Sequence, residues 1–285
     1  IAVATQAANE QHYEVPPEFF RIVLGKYLKY SACIWPPGCD ELSQAEQAML
    51  ALSAERAGIA DGQNVLDLGC GWGSFTLWAA EQFPGSRFTA MSNSAPQRAF
   101  IEAAARERGL SNVHVITADI NHFSPSETFD RIVSVEMLEH VRNHNLLFER
   151  IATWLKPEGR FFAHVFCHRT LCYPYEDRGD GDWMSRHFFT GGMMPSYDLF
   201  TRYDQHLSVV ERWWLDGTHY QKTSESWLAN TDRHREELIA VLGGGQLGKL
   251  RLQRWRMFFI AVAEFFGLYH GEEWGVAHYV FERRS

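Results

Sequence analysis

Val65-Leu-Asp-Leu-Gly-Cys-Gly-Trp-Gly73 is the stretch on which the fold turns. Its first part, with Asn64, reads as a short buried strand, and it runs into three glycines at alternate positions. Glycine accepts left-handed backbone angles and lets the main chain approach a ligand where a Cβ would clash. After the loop, residues 74–83 have helical spacing and stop at Pro84-Gly85. A strand that breaks into a glycine loop and then a helix opens a β-α-β unit. In an open α/β sheet the carboxyl end of the first strand is where ligands bind.

The same alternation continues outward. Residues 87–91 read as a second strand, 96–108 as a helix closed by Gly109, and 113–118 as a third strand. Residues 131–135 read as a fourth strand, 145–155 as a helix ended by Pro157 and Gly159, and 160–166 as a fifth. Strands alternating with helices predict an α/β fold, a mainly parallel, doubly wound sheet with helices on both faces. Past Cys167 the rhythm breaks: residues 168–196, rich in Tyr, Gly, Asp, His and Trp, form a long irregular insertion, a kind of segment that is usually functional. Residues 207–215 resume as a strand and 219–241 as one helix. The turn Leu242-Gly-Gly-Gly-Gln-Leu-Gly248 precedes a further helix to residue 267, and 274–282 alternate as a final strand, expected at an antiparallel edge.

Composition narrows the function. The 285 residues, 46% hydrophobic and 22% charged, suit one large soluble domain or a domain with a cap. A net charge of −8 argues against a nucleic-acid partner, which would need clustered Lys and Arg. The odd set Cys33, Cys39, Cys70, Cys167 and Cys172 has no paired C-x-x-C spacing, so it reads as reduced thiols in the cytoplasm and not as a disulfide framework or zinc site. Ten Trp among 14% aromatic residues suit a pocket for a flat or apolar ligand. No signal peptide or transmembrane segment is legible, since 257–266 is too short to span and carries Glu264. Beginning at Ile1 without Met, the chain reads as a fragment lacking N-terminal residues.

The glycine loop also discriminates among ligands. No Gly-Lys-Ser/Thr follows it, which disfavours a nucleoside triphosphate. A dinucleotide site would read G-x-G-x-x-G with an acid about 20 residues on. Here the loop is G-x-G-x-G, and the second strand runs into Met91-Ser-Asn-Ser94 without an acid. A dinucleotide and S-adenosylmethionine are the ligands left to weigh.

Asp67-Leu-Gly-Cys-Gly-Trp-Gly73, with Ala118-Asp119 after the third strand, resembles the (D/E)-x-G-x-G-x-G motif of class I S-adenosylmethionine-dependent methyltransferases. Ser92-Asn-Ser-Ala-Pro-Gln97 resembles the (T/N)-S-x-x-Q segment of the cyclopropane fatty acid synthase and coclaurine N-methyltransferase superfamily. Gln11-His-Tyr-Glu-Val-Pro16 and Lys29-Tyr-Ser-Ala-Cys33 look like its N-terminal segments, and Glu136-Met-Leu-Glu-His140 like its E-M-x-E-H motif. Phe188-Phe-Thr-Gly-Gly-Met-Met-Pro-Ser196, Thr218-His-Tyr-Gln-Lys-Thr-Ser-Glu-Ser-Trp227 and Gly271-Glu-Glu-Trp-Gly-Val-Ala-His278 are similar to the coclaurine and pavine N-methyltransferase branch.

The resemblance implies a Rossmann-like fold, a seven-stranded mostly parallel sheet with an inserted substrate cap. Residues 1–60 would be an N-terminal helical lid and 61–167 the cofactor-binding core. Residues 168–206 and 218–272 would form the cap, and 207–217 and 273–285 the last strands of the core sheet. The cofactor implied is S-adenosyl-L-methionine, leaving as S-adenosyl-L-homocysteine, with no metal. Tyr30 and Ser31 would hold its methionine end, Asp67, Gly69, Gly71 and Gly73 the loop side, Asn93 and Gln97 the ribose, and Asp119 and Ile120 the adenine. Tyr13, Glu14, His164, Phe189, Tyr220 and Trp227 would meet a small amine of the tetrahydroisoquinoline or benzylisoquinoline kind, with Phe188, Phe189 and Gly191-Gly192 as a lid. A homodimer is compatible with such a chain.

One departure concerns the cyclopropane branch. Its members hold a bicarbonate base partly through a Cys directly after the Tyr-Ser pair. That position is Ala32 here, with Cys33 one residue late, while Glu139, His164 and Tyr220 stand where other bicarbonate contacts would fall. The cage is incomplete, which weakens cyclopropanation.

A methyl sulfonium is an activated electrophile, so alignment dominates: an in-line attack from about 3 Å draws roughly 7–11 kcal/mol from proximity and orientation. An amine must also be neutral to attack, and a positioned base typically contributes about 10²–10⁴-fold. His140 has a suitable ordinary pKa, Glu139 could accept from the amine or raise the basicity of the imidazole, and Glu136 would lie near the cofactor or the amine. A strand ending near Glu136, followed by a helical turn, would gather the three groups. The alternatives are a cyclopropane-fatty-acyl-phospholipid synthase or lipid C-methyltransferase, and a non-catalytic S-adenosylmethionine-binding module.

Overall fold

The computed structural model describes residues 1–2, 15–179 and 182–284. Tyr13 and Glu14 lie outside the described residues. Seven strands form one sheet in the order β3-β2-β1-β4-β5-β9-β8: β1 (Asn64–Leu68), β2 (Arg87–Ser92), β3 (Val113–Thr117), β4 (Phe129–Val135), β5 (Leu155–His168), β8 (Leu207–Asp216) and β9 (Trp274–Arg283). β9 runs antiparallel to both its neighbours, and the other pairings are parallel. It is thus enclosed between β5 and β8, where the sequence pattern suggested an edge.

Consecutive residues of the inner strands enter opposite cores. Val65, Val133, Phe162 and Val280 pack with Leu50, Phe75 and Trp78 on one face. Leu66, Ile132, Phe161 and Phe281 pack with Phe148 and Ile151 on the other. Burial on both faces is why these strands read as near-continuous apolar runs. Among the covering helices are α2 (Leu42–Ala57), α3 (Ser74–Gln82), α4 (Ala95–Glu107) and α5 (His144–Trp154); a shorter α1 (Pro17–Val23) precedes them.

β2 and β4 leave β1 on opposite sides, so the strand order reverses there and opens a crevice at the carboxyl ends. The glycine loop lies in that crevice, with Gly69, Gly71 and Gly73 all at positive φ. Gly73 (φ 77°) caps α3, and a Cβ on it would stand 2.7 Å from Ile101 Cγ1. Left-handed strain and overpacking therefore add, and Gly73→Ala is expected to lower unfolding free energy by about 2–4 kcal/mol in urea titration.

The expected single helix 219–241 is two: α7 (Thr218–Arg233) and α8 (Arg235–Val241), broken at His234. No Gly or Pro marks the break. Its cause is packing: the kink buries Leu238 and Ile239 against α9 (Gly245–Gly267), where a Cβ on Gly248 would come within 2.2 Å of the Ile239 carbonyl oxygen. Within the irregular insertion, β6 (Tyr173–Pro174) pairs with β7 (Met193–Met194), and α6 (Trp183–His187) lies between them. Above the crevice, Phe19, Phe20, Trp72, Phe188, Tyr220, Trp227, Trp255 and Phe258 form one aromatic core that joins α1, α7 and α9 to the glycine loop. No helix among the described residues is long and apolar enough to cross a membrane.

Candidate active site

The cleft is lined from three sides: Lys29, Tyr30 and Ser31 from the N-terminal segment, the glycine loop after β1, and Glu136, Met137 and His140 after β4. Glu46 on α2 explains how the first of these is held. Its carboxylate accepts from the N–H groups of Gly25 (2.9 Å), Tyr27 (2.8 Å) and Lys29 (3.1 Å), so residues 25–29 are fastened to the helix and the Tyr-Ser pair faces the cleft.

On the glycine side, a Cβ on Gly71 would meet nothing within 4 Å, so the backbone there stands open to a ligand. Asp67 lines the cleft; Thr76 Oγ1 donates to its Oδ2 at 2.6 Å, and burial pushes its carboxyl up to about 6. Asn93, Gln97 and Ile120 line the cleft as well, while Asp119 Oδ1 accepts the Asn121 N–H at 2.8 Å. Gln97 Oε1 accepts from Ser92 Oγ at 2.6 Å, leaving its amide Nε2 buried without a hydrogen-bond partner, as are Trp72 Nε1 and Ser74 Oγ. Three orphaned polar groups on one cleft, beside an open glycine, fit the polar adenosine and amino-acid ends of S-adenosylmethionine.

Glu136 leaves β4 at φ 46°, an uncommon left-handed position for a residue with a side chain. There its carboxylate meets three polar partners. Oε1 accepts from the Ala32 N–H at 2.9 Å and lies 3.2 Å from His164 Nε2, and Oε2 accepts from the Tyr220 hydroxyl at 2.8 Å. Burial pushes this carboxyl up, against the Lys29 ammonium and the hydrogen bonds from Ala32 and Tyr220. Glu139, on the 3₁₀ turn Leu138–His140, is fully buried: Oε1 accepts the Phe166 N–H at 2.8 Å and Oε2 has no partner. Burial first, then the negative Glu136, drive it well above the usual carboxylate range. Burial thus raises both carboxyls, and Glu139, with fewer hydrogen-bond partners and the negative Glu136 beside it, is raised further.

His140 lines the cleft with its ring stacked on Phe189 (6.3 Å between centroids, 22°), which stacks in turn on Tyr175 (5.2 Å, 29°). Burial lowers its pKa to about 4. The imidazole is therefore neutral above that value and able to accept a proton; NMR titration of labelled histidine should find its midpoint near 4 instead of the ordinary ~6.5.

The remaining expected positions also have definite places. Tyr30 packs on Phe20 (5.2 Å) and Trp227 (5.6 Å). Trp227 is buried against Tyr220 and Phe259, a wall of the aromatic core. Among the described residues no cluster of His, Cys, Asp or Glu could hold a metal ion. Lys29 opens and His278 closes a family-like segment of the sequence, but the sequence assigned neither a role. Lys29 Nζ is buried, donating to Ser31 Oγ (2.6 Å) and the Ala32 carbonyl (2.5 Å), and its only sequence signal is adjacency to Tyr30-Ser31. His278 lies on the far strand β9.

Known proteins resemble this chain in sequence and fold. The profile of the mycolic acid cyclopropane synthetase family matches residues 3–269. An (S)-coclaurine N-methyltransferase of Thalictrum flavum subsp. glaucum is 39% identical over 291 residues, covering 100% of this chain and 81% of the relative. A cyclopropane-fatty-acyl-phospholipid synthase of Escherichia coli (strain K12) is 31% identical over 221 residues, covering 77% of this chain and 55% of the relative. The crystal structure of a coclaurine N-methyltransferase bound to N-methylheliamine and SAH superposes with a TM-score of 0.95 at 38% identity, covering 99% of this chain and 83% of that one.

Proposed function

The chain belongs to the mycolic acid cyclopropane synthetase family and is an S-adenosylmethionine-dependent N-methyltransferase, and we propose that its acceptor is the ring nitrogen of a small tetrahydroisoquinoline-type amine. The observation that carries this reading is the Glu136 carboxylate. It occupies the three donors of Ala32, His164 and Tyr220, where a free trigonal base such as bicarbonate would otherwise be held. A tethered anion in that place leaves no room for the base of cyclopropanation, but it suits a cationic amine.

Each carboxylate oxygen has two acceptor positions. Oε1 is filled by Ala32 and His164; Oε2 has one position left beside the Tyr220 hydroxyl, and an ammonium N–H can take it. Neutral His140 then relays to water the proton that keeps the nitrogen from attacking; with a pKa of about 4 it passes this proton on and does not keep it. S-adenosylmethionine, when bound, supplies the methyl group and takes back the electron pair of the broken carbon–sulfur bond. Glu136 stabilises the methylated ammonium through the same contact that oriented the amine. Phe189, Tyr175 and the aromatic core exclude water, which strengthens these charge interactions. Glu139, as a neutral acid fixed to the Phe166 N–H, holds the turn that presents His140.

Incubation with methyl-labelled S-adenosylmethionine tests the reading. Tetrahydroisoquinolines should yield N-methyl products, and vesicles of unsaturated phospholipid should yield no cyclopropane. Cyclopropanated acyl chains would favour the lipid enzyme, and no transfer across a broad amine panel would favour a non-catalytic module.

A further inference from the structure

Glu136 is the last member of a chain that runs through the sheet to α2. Arg56 Nη1 lies 2.8 Å from His278 Nδ1 on β9. His278 Nε2 lies 2.9 Å from His164 Nδ1 on β5, and His164 Nε2 lies 3.2 Å from Glu136 Oε1. Both imidazoles are fully buried, whereas Arg56 is half-buried, lies outside the cleft and has its guanidinium 4.4 Å from the Trp213 ring centre.

An arginine can only donate, and it does not lose its proton in proteins. His278 Nδ1 must then be the bare, accepting nitrogen, which puts its proton on Nε2. That proton is donated to His164 Nδ1, so His164 carries its own proton on Nε2 and gives it to Glu136. One permanent donor thus sets both tautomers. The same fact denies the chain a role in proton export, since its outer end can accept nothing.

We propose that Arg56 is a positioning residue for methyl transfer: acting through His278 and His164, it fixes an N–H on Glu136 and so keeps this carboxylate available to the amine. The proposal rests on the reading of Glu136 as the group that meets the acceptor. Lys29, His140, Glu139 and Tyr220 also face Glu136, Lys29 acts on both histidines, and Glu55 acts on Arg56. None of these groups fixes the tautomer of His278, since Arg56 is the partner of Nδ1.

The test has two readouts. Nitrogen-15 NMR of labelled histidine should show His164 and His278 as Nε2–H tautomers in the unaltered enzyme. It should show a tautomer mixture at His278 in Arg56→Met and recovery in Arg56→Lys. The acid limb of the kcat/KM profile should move up by about one pH unit in Arg56→Met, because a bare His164 nitrogen facing Glu136 favours the protonated carboxyl. His278→Leu, cutting the chain one link nearer because it can neither accept from Arg56 nor donate to His164, should give the same shift and serves should Arg56→Met fail to fold. An Nδ1–H tautomer in the unaltered enzyme would overturn the proposal. So would lowered stability with tautomers and acid limb unchanged. Because the NMR readout needs no substrate, correct tautomers with no amine methylation would instead count against the assigned reaction.

Discussion

Replacing His140 with Ala should leave an enzyme that folds and binds S-adenosylmethionine but methylates its amine about 10–10²-fold more slowly near neutral pH. That is at or below the low end for a positioned base, because a pKa near 4 is far from the working pH. The reason is that the bound amine, mostly protonated at pH 7, loses its proton to water through an imidazole whose pKa of about 4 keeps it neutral and ready to pass the proton on. Without that acceptor the enzyme must draw on the small neutral fraction of amine in solution. The deficit should therefore shrink as pH rises toward the amine's own pKa, near 10 for an ordinary alkylamine. Initial rates of both forms across that range check the sign. A constant ratio at every pH would mean that His140 shapes the pocket and moves no proton.

The second large effect is expected at Glu136. Glu136→Gly removes the left-handed strain at φ 46° and leaves the Ala32 N–H, His164 N–H and Tyr220 O–H converging on a hole. Each orphaned donor costs roughly 1–3 kcal/mol where water does not reach it. Loss of the anion should lower turnover by on the order of 10²-fold or more. Added formate or bicarbonate, a trigonal anion of the right shape, should then bind in the hole and restore part of the rate. Glu136→Gln fills the hole and turns an N–H toward one of the donors, so it should be slow and not rescued. Equal response of the two variants to formate would show that the cradle is not what positions the charge.

Much of this arrangement was legible in the sequence, for stated reasons. β1, β2, β4 and β5 are buried on both faces, so each gave a continuous apolar run between glycines, prolines or polar turns. Gly69, Gly71 and Gly73 marked the crevice because only glycine suits three successive alternate positions at positive φ. The hidden parts are those set by distant partners. The break at His234 comes from the approach of Ile239 to Gly248, which no local residue announces. The two-residue strands β6 and β7 are too short to show a period of two. Arg56 and His278 are 222 positions apart in sequence, and His278 and His164 are 114 apart, so their chain has no local signature. Glu136 was legible as a site residue, but not its left-handed turn into three polar partners, nor the further upward shift of Glu139 beside it.

The most direct measurement is a crystal structure of the enzyme with S-adenosylhomocysteine and an N-methylated tetrahydroisoquinoline. The expected result is adenosine over Gly71 and Gln97, the amine nitrogen hydrogen-bonded to Glu136 Oε2, and the N-methyl carbon about 3–3.5 Å from sulfur, in line with the nitrogen. An amine nitrogen turned to solvent, or seated away from Glu136 and His140, would contradict it.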